Sequence, residues 1–295
     1  MLAGAVRSGP VSDGRIIQSG DRDVRIDFGV AHTSRVYDYL LGGTDNFAVD
    51  REAAEAGFAT YPGGLDGART DARANRAYLG RAVRFLAGEA GIRQFLDIGT
   101  GIPTTRGNVH EVAQEVAPEA HVVYTDNDPI VLAHAHALLK SDPAGDTRYI
   151  DGDVRKPEII LEHARRFLDF SQPVGLILVG LLHVIPDEAE PYEAVATLVD
   201  AIPSGSYLAL SHVTNDVAGM DTVTERLDER MRDVNPPRLR SLDEVTRFFD
   251  GLELVEPGIT RVDRWRPSPD APAGSDAGDA DARQVPIYAG VARKP

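Results

Sequence analysis

Phe95-Leu96-Asp97-Ile98-Gly99-Thr100-Gly101-Ile102-Pro103-Thr104 is the stretch that decides the fold. It reads as a buried strand that ends in a glycine turn and then enters a helix, with an acidic residue inside the strand two positions before the first glycine. Glycine lets a ligand approach the backbone closely, and a helix N-terminus favours polar or negative groups. The pattern is that of a cofactor loop.

Working outward, short β-rich runs alternate with helical segments. Strands are expected over 94–99, 121–126, 147–151, 174–180, 206–212, 252–258 and 287–293. Several are almost entirely apolar, as strands covered on both faces tend to be. Helices are expected over 105–117, 129–140, 157–169, 188–201 and 241–250. Pro129 and Pro157 suit first-turn positions, and Ser241 with Glu244 forms a capping box. Such alternation implies parallel strands joined by crossover helices. Before the first strand lies a long helix over 68–87, with Leu79, Val83 and Leu86 on one face beside Tyr78, Ala82 and Phe85. Residues 34–43 read as a helix capped by Ser34 and stopped by Gly42 and Gly43, followed by a tight polar turn over 44–47.

The chain has 295 residues, 42 % of them apolar, enough for one large α/β domain or one domain with additions. Its net charge is −15, from 31 Lys and Arg against 46 Asp and Glu. A basic stretch exists over 73–84, but the balance argues against nucleic acid and anionic membranes and for a small-molecule substrate. The absence of cysteine excludes disulfides, zinc–thiolate sites and a cysteine nucleophile. No signal-peptide pattern opens the chain, and the longest apolar run, 174–182, is too short to span a bilayer. A cytoplasmic location is therefore expected. Residues 1–25 read as a mobile tail, and the small, acidic, Pro- and Gly-rich stretch 267–285 as a flexible loop.

Which cofactor the loop holds depends on the residues around it. A dinucleotide loop wants G-x-G-x-x-G, and here Thr104 stands at the third glycine position. That weakens an NAD-dependent oxidoreductase. The apolar strand with an internal acid, followed by Gly99-Thr100-Gly101, instead resembles the first motif of S-adenosylmethionine-dependent methyltransferases with a Rossmann-like core. His121–Asp126, Tyr149–Arg155 and 175–187 match the later motifs in order. The resemblance implies that Asp126, with Asn127 beside it, holds the ribose hydroxyls. It implies that Asp153 and the backbone of Val154 read adenine, and that the segment after Gly180 lines the methyl-transfer site. Asp97 either holds loop amides or meets the cofactor's ammonium group. Pro103 departs from the usual third glycine and stiffens the loop.

Arg35–Gly43, Asp45-Asn46-Phe47, Asp50-Arg51-Glu52, Asn75-Arg76, the 95–104 loop, Asp126–Pro129 and Tyr288–Arg293 are together similar to a bacterial methyltransferase family long catalogued only as a domain of unknown function. The resemblance covers residues 30–293. It implies an α/β fold with a Rossmann-like class I methyltransferase sheet of seven strands, mostly parallel with the last antiparallel. The implied division is an N-terminal helical lid over 26–90 and a core over 91–295. Tyr37 and Asn46, beside the glycine hinge, are the residues expected to reach the cofactor from the lid. Asp128 is expected to cap the helix at Pro129, and Asp187 that of residue 188 onward.

His183 and His212 follow strands at their C-terminal ends, where open α/β sheets bind ligands. His183 is the candidate general base, because its neutral form is available near pH 7. His134 and His136 are two apart on a helix and do not share a face, so no metal site is expected. A non-catalytic S-adenosylmethionine-binding sensor remains the alternative from another class. The methyl acceptor and the oligomeric state are not written in the sequence.

Overall fold

The computed structural model describes residues 15–19, 22–26, 29–128, 130–131, 143–220, 223, 237–267 and 283–295. The expected helix over 129–140, apart from 130–131, lies outside the described residues with His134 and His136, as do residues 1–14 and residues 268–282 of the acidic stretch. Two short strands, β1 (Arg15–Ser19) and β2 (Arg22–Ile26), pair antiparallel within the segment read as an aperiodic tail.

The remaining strands make one mixed sheet. They are β3 (Gln94–Ile98), β4 (His121–Asp126), β5 (Asp146–Asp151), β6 (Gly175–Val179), β7 (Tyr207–Val213), β8 (Glu253–Leu254), β9 (Thr260–Arg261) and β10 (Ile287–Arg293). Their order is β5-β4-β3-β6-β7-β10-β8, with β9 pairing β10 off this path. The first five are mutually parallel, and β10 inserts antiparallel between β7 and β8. This is the expected Rossmann-like sheet, with β9 as an eighth, two-residue strand. The chain leaves β3 for β4 and β5 on one side and returns to β6 and β7 on the other. The switch point therefore falls between β3 and β6, where open sheets bind ligands at their carboxyl ends.

Alternation along the strands divides the core between the two faces. Leu96, Ile98, Leu176, Leu178, Leu208 and Leu210 pack under α5 (Pro157–Ala164) and α6 (Pro191–Ala201). Phe95, Val122, Tyr124, Ile177, Ala209 and Val291 pack under α3 (Gly64–Gly88) and α4 (Val109–Val116). The α3 stripe is the expected one: Tyr78, Leu79, Ala82, Val83 and Leu86 are all buried. Tyr78 Oη donates across the sheet to the carbonyls of Leu210 and Gly290. The C-terminal half of α3 thus covers the sheet.

The N-terminal helices are α1 (Thr33–Leu41) and α2 (Ala48–Gly57). His32, not Ser34, stands at the N-cap of α1, with its Nδ1 3.4 Å from the Ser34 amide. Gly42 closes the helix at φ 84°, as read from the sequence. Helix α2 escapes the pattern because only Asp50 and Ala54 of its residues are buried, too few to make an apolar stripe. Asp50 is fully buried and joins the two helices, accepting from the amides of His32 and Phe47 and pairing with Arg35. The α7 helix (Leu242–Thr246) starts at the expected Ser241–Glu244 capping box.

Candidate functional site

The glycine turn follows β3 without a break in the ladder: the amides of Gly99 and Thr100 both donate to Thr125 O at the end of β4. Gly99 and Gly101 have φ 73° and 67°, values that side-chain-bearing residues rarely adopt. A Cβ at Gly99 would strike Leu181, whereas nothing lies within 4 Å of one at Gly101. The expected immediate entry into a helix does not occur. Helix α4 begins only at Val109, because the Asn108 carboxamide folds back on Thr104, accepting from its amide at 3.1 Å and donating to its carbonyl at 2.7 Å. Residues 99–108 are therefore an open loop, stiffened at Pro103.

Beside this loop, at the switch point, lies a cleft of about 420 Å³. Tyr37, Asp97, Gly99, Thr100, Gly101, Asp126, Asn127, Asp153, Val154, Gly180 and His183 all line it. Asn46 does not: its carboxamide donates to Asp38 and to Gly43 O and receives Arg51, which makes it an organiser of the turn after α1.

The three acids sit at successive strand ends and differ in their surroundings. Asp97 shares the face of Phe95, towards α3, and is 6 % exposed. It has no ion-pair partner among the described residues. Burial, reinforced by the Asp126 carboxylate, pushes its carboxyl up to about 7 despite Arg76 and Thr100. Asp126 is held at both oxygens, by the Gly101 amide at 2.8 Å and the Asp128 amide at 2.9 Å. Burial still raises it above the usual carboxylate range. Asp153, expected at adenine, is clasped by Arg155 through both oxygens. Burial raises its pKa, yet the hydrogen bonds from Arg155 outweigh that and hold it low.

Asp128 accepts from the Ile130 amide at 2.9 Å, the expected capping contact. Its other oxygen takes the Ser34 hydroxyl at 2.7 Å and His32 Nδ1 at 3.0 Å, fastening α1 to the end of β4. Burial disfavours protonated His32, but Asp128 more than compensates and its pKa is raised.

His183 lies in a short 3-10 turn after β6. Burial, with Arg240, lowers it to about 4. It faces His212 at 6.0 Å between ring centroids. His212 is structural: its Nδ1 bonds Val213 O and its Nε2 receives Arg240. Arg240 is fully buried, donates to Leu182 O at 3.0 Å, pairs with Asp187, and lies over the rings of Tyr192 and Phe248. Asp187 thus answers Arg238 and Arg240 rather than capping the helix after it.

Sequence reasoning did not single out His32, Ser34, Asn75 or Arg76 as cleft residues, nor Arg240 behind it, whereas Leu181 belongs to the segment expected there. Asn75 had a readable signal, a polar residue one turn before Tyr78 and Leu79 within the apolar stripe of α3.

A family model described as S-adenosyl methyltransferase matches residues 19–295. The chain belongs to that family. It is an S-adenosylmethionine-dependent methyltransferase. A DUF574 family protein from Streptomyces avermitilis is 44 % identical, with 91 % of this chain and 99 % of that chain covered and a TM-score of 0.80. A candidate methyltransferase from Thermobifida fusca is 41 % identical, with 91 % and 96 % covered and a TM-score of 0.81. Among curated proteins, none matches the methyltransferase chain. Among its described residues, no helix is long and apolar enough to cross a membrane, and no cluster of three or more His, Asp or Glu side chains could hold a metal ion.

Proposed function

We propose that the cleft binds S-adenosylmethionine along the strand ends and delivers its methyl group to a small-molecule acceptor beside His183. The observation that carries this reading is the opening of Asp97, Asp126 and Asp153 into one cleft from the ends of β3, β4 and β5. Asp153 and Val154 take adenine, and Asp126 with Asn127 takes the ribose hydroxyls. The unpaired Asp97 meets the ammonium group. Gly101, which faces open space, lets the chain of the amino acid pass close to the backbone, and Gly180 borders its far side. Bound there, the cofactor supplies a methyl carbon made electrophilic by its sulfonium.

The protein's task is then alignment of nucleophile, methyl carbon and sulfur, together with exclusion of water. Tyr37 and the His32–Ser34 edge of α1 cover the cleft. The net charge of −15 favours a small acceptor over nucleic acid. His183 is the side chain placed to receive a proton. With its pKa near 4 it suits an acceptor that becomes strongly acidic only as the new bond to the methyl carbon forms.

Calorimetry with S-adenosylhomocysteine and with NAD tests the cofactor assignment. Binding of the first and not the second is expected, and the reverse would sink it. With an acceptor in hand, near-normal turnover by His183→Ala would remove the base role.

A further inference from the structure

Helix α1 borders the cleft but contributes no strand end, so something must hold it there. One chain of buried and half-buried hydrogen bonds helps to do so. The Gly180 amide, at the end of β6, donates to Ser211 Oγ at 3.0 Å. Ser211 Oγ donates to Asn75 Oδ1 at 2.7 Å, and Asn75 Nδ2 donates to Tyr37 Oη at 3.1 Å. Tyr37 Oη donates to Ala72 O at 3.1 Å.

The direction of this chain is forced from both ends. A backbone amide can only donate, so Ser211 spends its one hydrogen on Asn75. A backbone carbonyl can only accept, so Tyr37 spends its hydrogen on Ala72 and must accept from Asn75. Only a side chain with a carbonyl on one side and an amino group on the other satisfies both neighbours at once. Asn75 and Ser211 are almost wholly buried, where a stranded polar partner is costly. Asn75 Nδ2 also lies 3.0 Å from where a Cβ on Gly180 would stand, so the carboxamide and the strand end are in close packing.

We propose that Asn75 is the positioning residue through which the docking of α1 is coupled to occupancy of the cofactor cleft. Asn75, Tyr37 and Gly180 all line the cleft, so a ligand seated against Gly180 rests on a backbone whose placement depends on the same carboxamide that holds Tyr37. Order in α1 and order at the end of β6 therefore rise together, and each lowers the entropy the other must lose. The inference rests on the reading of this cleft as the S-adenosylmethionine site.

The test uses the full chain, with S-adenosylhomocysteine as the probe, in wild type, Asn75→Ala, Tyr37→Phe and the double variant. Calorimetry reads affinity and hydrogen exchange reads protection of residues 33–41. In wild type the probe is expected to slow exchange across α1. In Asn75→Ala the probe-induced protection is expected to vanish and affinity to fall about tenfold or more. Tyr37→Phe, which leaves Gly180 paired to Ser211 and Ser211 to Asn75, is expected to lose the α1 protection with a smaller fall in affinity and to keep the fold if Asn75→Ala does not. The double variant is expected to match Asn75→Ala, because both changes break one chain. Wild-type-like affinity and protection in Asn75→Ala, additive losses in the double variant, or retained α1 protection in Tyr37→Phe would overturn the coupling alone. No binding by the wild type would overturn the cleft assignment and the coupling with it.

Discussion

Replacing Asp97 by Asn will make the ligand-free protein more stable and, on the proposed reading, a poorer binder of its cofactor. The Asp97 carboxyl is buried beside a second carboxylate, and its pKa rises from an ordinary 3.8 to about 7. A folded-state value above the unfolded one means that the folded protein binds the proton more tightly. The carboxyl is therefore harmless below pH 3.8, and stability is lost as pH rises from there through about 7. At 1.36 kcal/mol per pH unit the full loss is roughly 4 kcal/mol, an upper limit reached near pH 8. Asn has a similar shape and no charge, so it escapes that loss. Urea unfolding of both proteins at pH 5, 6, 7 and 8 is the assay. The gap in favour of Asp97→Asn is expected to widen by about 2–3 kcal/mol between pH 5 and 8, nearly all of it below pH 7. With excess S-adenosylhomocysteine the order is expected to reverse at pH 8, because the ammonium group stabilises only the carboxylate. A gap independent of pH, or a less stable variant at pH 8, would refute the account of Asp97 as a buried, unpaired acid kept for a cationic ligand.

Three further predictions follow from the same geometry. Gly101→Ala is expected to lose about 1–2 kcal/mol in thermal unfolding, from φ 67°, and to weaken S-adenosylhomocysteine because the new methyl enters the cleft. Gly107→Ala, at φ 79° outside the cleft, is expected to cost similar stability with affinity unchanged. Arg240→Met leaves the carbonyl of Leu182 and Nε2 of His212 without their buried donor, while half-exposed Asp187 keeps Arg238. A loss of about 1–3 kcal/mol is expected. An NMR titration of the same variant is expected to show the His183 pKa rising from about 4 while staying below 6.5, because burial is the larger cause of its depression. His32, whose folded pKa is raised, contributes stability that is complete below pH 6.5 and lost as pH climbs through the folded value. Protection of the α1 amides, corrected for the intrinsic exchange rate, is therefore expected to fall over that range, and to be insensitive to pH there in His32→Ala.

Much of the fold is legible in the residues themselves, for physical reasons that differ from element to element. The apolar strands β3, β4, β6 and β7 announce themselves because both faces are covered, and α3 because its buried stripe repeats at helical spacing. The sequence pattern starts α4 at residue 105, four positions before the helix begins at Val109. The segment 105–108 has no apolar pattern against a helix, and what holds it open is a carboxamide, Asn108, folding back on Thr104. Helix α2 was missed because it is held by Asp50 rather than by an apolar face. Of the site, the acids and glycines at strand ends were readable as local motifs. The clasp of Arg155 on Asp153 was not, nor was the withdrawal of Asn46 to the turn after α1, since each depends on a rotamer chosen by its neighbours.

The sequence by itself determined the alternation of strands and helices, the glycine turn after Asp97 and the acids that follow it, because these are short-range patterns of burial and backbone freedom. Only the tertiary structure decided which of those groups share a cleft and in what state. The unpaired burial of Asp97, the neutral His183 before a buried Arg240, and the joining of Tyr37 to Gly180 through Asn75 and Ser211 come from residues far apart in the chain. Their chemistry is set by the partners and the dielectric that folding puts around them.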